Sequence, residues 1–417
     1  MHANHVIEVL EKFSSFPKHV IDCPSFIVSE GLHETNSVDK GIITRNVCFP
    51  VYNKCELVYS GPHFFCGNPV YKTPRAKCVL NSDYDIIDLS SIKDDFLPRT
   101  NYTPIMPYAE YRSIVQGFVC HNDGNGHTND NWIDYYKMGF RRMIGSTSER
   151  SLSGGILLPN CNHIGGVVTV TFKDYPTLIE FAGLTSSIPM DFYVKTLGIS
   201  DIHANRVHPF PLGIEPKYKK SLFVRVLLLN CLTKYYGHLW EDMWDSHFIE
   251  ECWSVSDIRL KNFKELHKEW SWEIPLRNYY ERRQALIEID VISSMALGLS
   301  LDDLDIMYSI QFPVLKQNEN DTWYDQKGNI VFTCSKGLTG VGLDRKAWEA
   351  MRGTLSEDGM TYSGSSETYE HTIDPAKSEL YGGQKVTYYA PYNRCDRIED
   401  YRRAWAHFEK IFKEEKN

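Results

Sequence analysis

Apolar residues follow two different rhythms in this chain, and the change near residue 215 limits the folds open to it more than any other feature. Downstream, Leu222, Val226, Leu229, Tyr236, Leu239, Trp240 and Met243 recur at helical spacing, and Tyr280, Leu286, Ile287, Ile289, Ile292 and Leu297 do so again. Gly298 supplies a stop, and Ser300 with Asp303 forms an N-cap for a helix over 301–310. Upstream, apolar residues come in short strand-like runs such as Phe26-Ile27-Val28, Cys78-Val79-Leu80, Gly155 to Pro159 and Val167 to Phe172. Strands gathered in one part of a chain and helices in another indicate an α+β fold rather than alternating βα units.

Four regions follow from this texture. Residues 1–134 open with a short helix ended by Pro17 and continue as an irregular, β-rich region dense in Pro, Gly, Tyr and Cys. Residues 135–214 form a central core, with a helix expected over Tyr135 to Ile144, strands at Gly155 to Pro159 and Val167 to Phe172, and a further apolar helix. Residues 215–310 are a helical block. Residues 311–417 hold a hairpin from Thr322 to Phe332 around Gly328-Asn329, a glycine-rich loop from Lys336 to Gly342 and a short helix from Asp344 to Arg352. A Ser- and Gly-rich stretch over 353–384, expected to be mobile, precedes a final helix with Tyr401, Trp405, Phe408 and Phe412 on one face.

The formal net charge of -9 argues against a protein that coats nucleic acid by bulk positive charge. The distribution is uneven, however. From Tyr135 to Arg225 there are eleven Lys or Arg against six Asp or Glu, which is the pattern of a focused phosphate-facing surface or of clustered solvated charges. The eleven cysteines include no C-x-x-C pair, the opening residues do not form a signal peptide, and no apolar run approaches the roughly 20 residues that span a bilayer. A cytoplasmic protein with no membrane partner is expected.

Several motifs suggest chemistry, and each has a plainer explanation. Asn68-Pro69-Val70-Tyr71 resembles the Asn-Pro-Pro-aromatic turn that holds a flipped base's amino group, but Val70 replaces the second proline, and a simple turn is the stronger reading. Asp325-Gln326-Lys327 is the acid-x-Lys element of metal-dependent nucleases, with Asp302, Asp303 and Asp305 as conceivable partner acids. It falls on the expected hairpin turn, and the partner acids sit at a helix start. Gly337 to Gly342 lacks the endings of a P-loop or a dinucleotide fold. The polar run His121 to Asn131 does not have EF-hand spacing and reads as a surface loop, and the pairs His63/Cys66 and His121/His127 lack completing metal ligands.

The central core leaves candidates for DNA contact. Arg141, Arg142 and Arg150 could meet phosphates or guanine edges, Asn160, Asn162 and His163 could read bases, and Lys195, Lys217, Lys219 and Lys220 could grip the backbone. The plainer alternative is that Glu149 and Arg150 pair within the fold and that Arg141 and Arg142 solvate a helix.

The run Tyr135-Tyr136, Arg141-Arg142-Met143, Ser146-Thr147-Ser148-Glu149-Arg150-Ser151, Ile156-Leu157-Leu158-Pro159 and His163, followed by Ser200-Asp201-Ile202 and Pro209-Phe210-Pro211-Leu212, resembles a known family. It is similar to the target-recognition half of type IIG-like restriction-modification adenine-N6 DNA methyltransferases, with a TaqI-like specificity domain. Leu286 to Val291, Gln311 to Val314, Thr322 to Asp325 and Ile330 to Leu338 resemble the C-terminal part of the same proteins. The resemblance implies a mixed strand and loop recognition region, then a helical block and a small C-terminal α/β element. It implies a chain that binds double-stranded DNA and selects its sequence for a separate catalytic methyltransferase domain or subunit. S-adenosylmethionine would be held by that partner and no cofactor by this chain, which lacks the cofactor-binding glycine motif and the catalytic tetrapeptide. A metal-dependent nuclease using Asp325 and Lys327, or a protein-interaction module of a defence complex, are the alternatives.

Overall fold

The computed structural model describes residues 3–80, 82–115, 131–145 and 148–414, so the polar run over 121–130 lies outside the described residues. The fold is α+β, with several small sheets and a helical block. At its centre is a four-stranded antiparallel sheet in the order Phe26–Ser29, Val167–Phe172, Lys137–Arg141, Gly154–Leu157. The first strand comes from the N-terminal region, with Phe26 opposite Phe172 and Val28 opposite Val170. Val58–Tyr59 also pairs, in parallel, with Asn162–His163. Residues on both sides of position 134 therefore share hydrogen-bond ladders, and a small cluster around Ile43, Trp132 and Ile164 packs them together.

The helix expected over 135–144 is instead the strand Lys137–Arg141. Its first four residues are all buried, so the in-out alternation that marks a half-exposed strand is missing. Gly139 sits where a Cβ would lie 2.4 Å from Leu157 Cδ1, so close strand packing requires the absence of a side chain there. Lys137 is fully buried and its ammonium donates to the carbonyls of Tyr135 (3.0 Å) and Leu158 (2.9 Å), which replaces the water it gives up.

Helices Tyr175–Ser186 and Ile188–Thr196 follow the sheet, each started by a side-chain cap, Asp174 and Ser187 respectively. They pack with Pro216–Asn230 and Arg397–Glu414 around the helix Tyr279–Ala296. That central helix is buried on nearly every side although it carries Glu288 and Asp290, because each carboxylate is met by partners. Arg225 donates from Nε to Glu288 (2.6 Å) and from Nη1 to Glu251 (2.8 Å). Asp290 accepts from Arg397 (2.8 Å), Tyr401 (2.7 Å) and the Ile188 N–H (2.8 Å). An unpaired charge buried there would cost several kcal/mol. The helix ends at Gly298, and Ser300 and Asp303 form a reciprocal capping box for Leu301–Gln311.

The C-terminal region folds over an aromatic cluster of Trp323, Trp348, Tyr362 and Tyr392. The hairpin forms as expected, with strands Trp323–Tyr324 and Ile330–Phe332. The 353–384 stretch, expected to be mobile, carries strands Thr361–Tyr362 and Thr368–Thr372, the second paired along its length with Lys385–Tyr389. Its side chains bury little, so the backbone ladder supplies the order that composition does not reveal.

Candidate functional site

The Asn68–Tyr71 segment is a tight turn: Asn68 Oδ1 accepts from the Val70 N–H (3.0 Å), and Phe65 and Asn68 exchange backbone hydrogen bonds of 2.9 Å. The turn sets Tyr71 against Phe65, with ring centroids 5.3 Å apart, and the Tyr71 hydroxyl donates to the Gly337 carbonyl. Arg141, at the end of its strand, donates from Nε to the Gly61 carbonyl (2.9 Å) and from Nη2 to that of Phe64 (2.8 Å). Its guanidinium lies 5.4 Å from the Phe65 ring centre and 5.9 Å from that of Tyr71. The Lys72 ammonium lies 5.0 Å from the same Tyr71 ring.

Neither cation forms an ion pair with a carboxylate among the described residues. Burial, with the nearby Arg141 charge adding to it, pulls the Lys72 ammonium down to about 8, and burial also lowers Arg141. Two partly desolvated cations without a counter-ion form a site that an anionic oxygen would stabilise. The chain leaves Arg141 directly into Arg142 and Met143. The Ile202 N–H donates to the Arg142 carbonyl (2.9 Å) and the Ile144 N–H to that of Ser200 (2.9 Å), so this turn is pinned while Met143 stands 78% exposed.

Most of the other expected DNA contacts are placed elsewhere. Arg150 is buried, with Nε donating to Asp191 (2.6 Å) and Nη2 to the Ser186 carbonyl (2.8 Å). Asn162 and His163 are buried in a strand, and the His163 Nε2 faces Thr169 Oγ1 at 3.1 Å. Burial also holds the His163 imidazole neutral, down to about 4. These three are corrections to the expected contact set, because a side chain closed off from solvent cannot reach a base edge. Asn160 has a left-handed backbone (φ 63°) and its Oδ1 accepts from the Tyr108 hydroxyl (2.7 Å). Lys195 donates to the Gln311 carbonyl (2.6 Å). Lys217, Lys219 and Lys220 pair with Glu215 (2.9 Å), Glu180 (2.9 Å) and Glu251 (3.8 Å), which cancels the local charge that their run suggested. Arg142 stays partly open, 3.5 Å from Glu30 and 3.9 Å from Asp201. Of the expected set, Arg141 belongs to the uncompensated pair and Arg142 follows it directly in the chain. Lys72 was missed, and its only signal was its position directly after the tyrosine of the turn.

Asp325 is buried at the hairpin turn, where it accepts from the N–H groups of Lys327 and Asn329 (both 2.9 Å) and from Asn329 Nδ2 (3.1 Å). Lys327 turns away and lies 3.9 Å from the Tyr389 ring centre. The pair is a turn device, and Asp303 is a helix cap. No group of three His, Cys, Asp or Glu side chains among the described residues is arranged to hold a metal ion. Gly342, at φ +71°, sits where a Cβ would lie 2.5 Å from the Val331 carbonyl oxygen, which is the close backbone approach expected of that loop. His63 is buried against the Arg99 carbonyl (2.8 Å).

Two cavities flank the glycine loop. The outer one, about 560 Å³, lies between the loop, the 368–389 hairpin and the strand Tyr84–Ile86, and the inner one, about 180 Å³, is lined by Phe65, Tyr71, Glu149, Arg282 and Arg283 among others. Tyr279, Thr333, Ser335 and Leu338 belong to the walls of both. No family model matches this chain, and no curated protein is significantly similar to it. No helix among the described residues is long and apolar enough to cross a membrane.

Proposed function

We propose that this chain is the DNA sequence-specificity component of a restriction-modification or phage-defence adenine-N6 methyltransferase. It binds duplex DNA for a separate catalytic domain or subunit, which holds S-adenosylmethionine and carries out the methyl transfer. The observation that supports the reading is the Lys72–Arg141 pair, whose two positive charges have no carboxylate paired with them among the described residues and adjoin the pinned turn at Arg142 and Met143. A phosphate oxygen is the ligand such a pair suits. The run of residues from Tyr135 to His163 that resembles target-recognition regions passes through the same place.

Contact at this pair would fix the register of the duplex, and base readout would fall to side chains of the adjoining turn. A mobility-shift titration with mixed-sequence duplex, for the chain alone and with a methyltransferase subunit, tests the proposal. Salt-sensitive binding that Lys72→Ala weakens is expected. Absence of binding at low salt in both conditions contradicts it. The Asp325 nuclease reading gains no support from the geometry, because the carboxylate's lone pairs are occupied by turn N–H groups.

A further inference from the structure

The outer cavity collects carboxylates and tyrosines from segments far apart in the chain. Asp85 and Asp88 come from the strand Tyr84–Ile86 and the turn after it, Tyr279 from the first turn of the central helix, and Asp374, Tyr381 and Tyr388 from the 368–389 hairpin. At about 560 Å³ it has the size of a small-molecule site.

Its acids are not equivalent. Asp85 is fully engaged, by Arg75 Nε (2.8 Å) at one oxygen and by the N–H groups of Glu379 (2.8 Å) and Leu380 (2.9 Å) at the other. Asp344 has the Lys377 ammonium at 3.7 Å. Asp88 accepts from the Ser90 N–H (2.9 Å) and Oγ (2.7 Å), both at Oδ1, and its Oδ2 accepts from no described residue. Asp374 likewise accepts from the Ala376 N–H (2.9 Å) at Oδ1 alone.

The tyrosines beside Asp88 are a separate observation. The Tyr388 hydroxyl makes no hydrogen bond although the residue is only 5% exposed, and the oxygen is not sealed off: the surface it keeps opens on the cavity that the residue lines. Tyr279, on the same wall, also has a hydroxyl without a partner among the described residues. The Tyr381 hydroxyl accepts from the Asp88 N–H (3.0 Å). Burial pushes the Tyr279 and Tyr388 hydroxyls above their usual range, and the Asp88 carboxylate adds to the rise at both, with Asp325 contributing at Tyr388. Both hydroxyls therefore lie within electrostatic reach of Asp88. Neighbouring tyrosines already hold cations: Tyr280 has the Arg259 guanidinium at 3.7 Å and Tyr389 the Lys327 ammonium at 3.9 Å. No lysine or arginine among the described residues stands over the rings of Tyr279, Tyr381 or Tyr388.

Charge selects among ligands. A metal ion is disfavoured, because no three His, Cys, Asp or Glu side chains among the described residues converge to hold one. An anion would meet Asp88 and Asp374, and of the two lysines in the wall Lys377 is engaged by Asp344, which leaves Lys336. A neutral ligand would leave the Asp88 charge desolvated. An alkylammonium group neutralises Asp88, donates to the tyrosine hydroxyl oxygens and is attracted by their ring faces.

We propose that the outer cavity binds an organic cation of the polyamine class, with one ammonium at Asp88 among Tyr279, Tyr381 and Tyr388 and a further one at Asp374. The site is independent of the Lys72–Arg141 pair and of the DNA reading.

Calorimetric titration of the whole chain with spermidine at constant ionic strength tests the site, and one saturable event is expected. Asp88→Asn keeps the oxygen that holds Ser90 and removes the charge, and it should weaken spermidine by roughly tenfold or more, the size of one charge-assisted hydrogen bond. Tyr388→Phe removes only a hydroxyl that the fold leaves unpaired, and it should weaken spermidine about threefold without lowering the melting temperature. Glu357→Gln, at an exposed acid outside the cavity, should change nothing. A straight-chain diol of spermidine's length and inorganic phosphate should each bind at least roughly tenfold more weakly than spermidine. Four results overturn the proposal: no saturation by spermidine at millimolar concentration, affinity unaltered by both Asp88→Asn and Tyr388→Phe, equal losses in Asp88→Asn and Glu357→Gln, or phosphate or the diol binding as tightly as spermidine.

Discussion

Lys72 and Arg141 share one aromatic ring, that of Tyr71, at 5.0 and 5.9 Å, and no carboxylate pairs with either among the described residues. Like charges brought together and partly desolvated are a cost to the fold. Tyr71 and Phe65 offset part of it through their ring faces, and the Gly61 and Phe64 carbonyls hold Arg141 in place. A phosphate would remove the remainder.

Lys72→Ala should therefore lower affinity for duplexes of unrelated sequence alike, and reduce the slope of log affinity against log salt by about 1. Thermal stability should stay level or rise, since the substitution removes an unpaired charge. A sequence-dependent loss would move Lys72 from phosphate contact to base readout.

The pH dependence has a definite sign. Lys72 titrates at about 8 in the free chain, and a bound phosphate raises that value by favouring the charged form. Binding then takes up a proton above pH 8, so affinity should fall as pH rises beyond about 8, and the fall should vanish in Lys72→Ala. Titrations at a series of pH values in constant salt check this.

Asp191→Ala should destabilise the chain by about 3–5 kcal/mol, because it strands the buried Arg150 guanidinium and leaves the Ser151 and Leu152 N–H groups without their acceptor. Urea unfolding measures the loss. A variant that unfolds at the wild-type midpoint would return Arg150 to the list of solvent-facing contacts.

Acid should unfold the protein in stages. His63 and His163 are held neutral, at about 4, so the folded state resists protons that the unfolded chain accepts. Their contribution is complete above about pH 6.5 and is lost as pH falls towards 4. Glu319 is held down to about 2 by Arg397 and Arg283 against its own burial, so its contribution is present above pH 4.5 and is lost as pH falls further. Circular dichroism across pH 7 to 2 should show stability declining from the first window onward. A flat profile down to pH 4 would contradict the buried neutral histidines.

Asp325→Ala should cost about 1–3 kcal/mol, since two hairpin N–H groups lose their acceptor, and added magnesium should not shift the melting temperature of either form. Differential scanning calorimetry with and without magnesium distinguishes a turn residue from a metal ligand.

Legibility in the sequence followed the physics of each element. The capping box at Ser300 and Asp303, the stop at Gly298 and the 323–332 hairpin are local devices, and the residues that make them are neighbours in the chain. The strand Lys137–Arg141 was hidden, because burial on both faces removed its alternation and its partners lie far away in sequence. The lysine run at 217–220 looked like a phosphate grip until the fold brought Glu180 and Glu251 to it. Arg150 and Asp191 are forty-one positions apart, so no local pattern marks them as a pair. Charge counting can find an excess of cations, but which of them lack partners is set by tertiary structure alone.

The proposed grip on a DNA backbone runs through Lys72 and Arg141. Its most direct test is a mobility-shift titration of wild type and Lys72→Glu on one mixed-sequence duplex, from about 50 to 200 mM salt. Wild-type binding should weaken steeply with salt, and the variant should bind at least roughly tenfold more weakly at the low end. Equal affinities for the two proteins, or no binding by wild type with or without a catalytic partner, would contradict it.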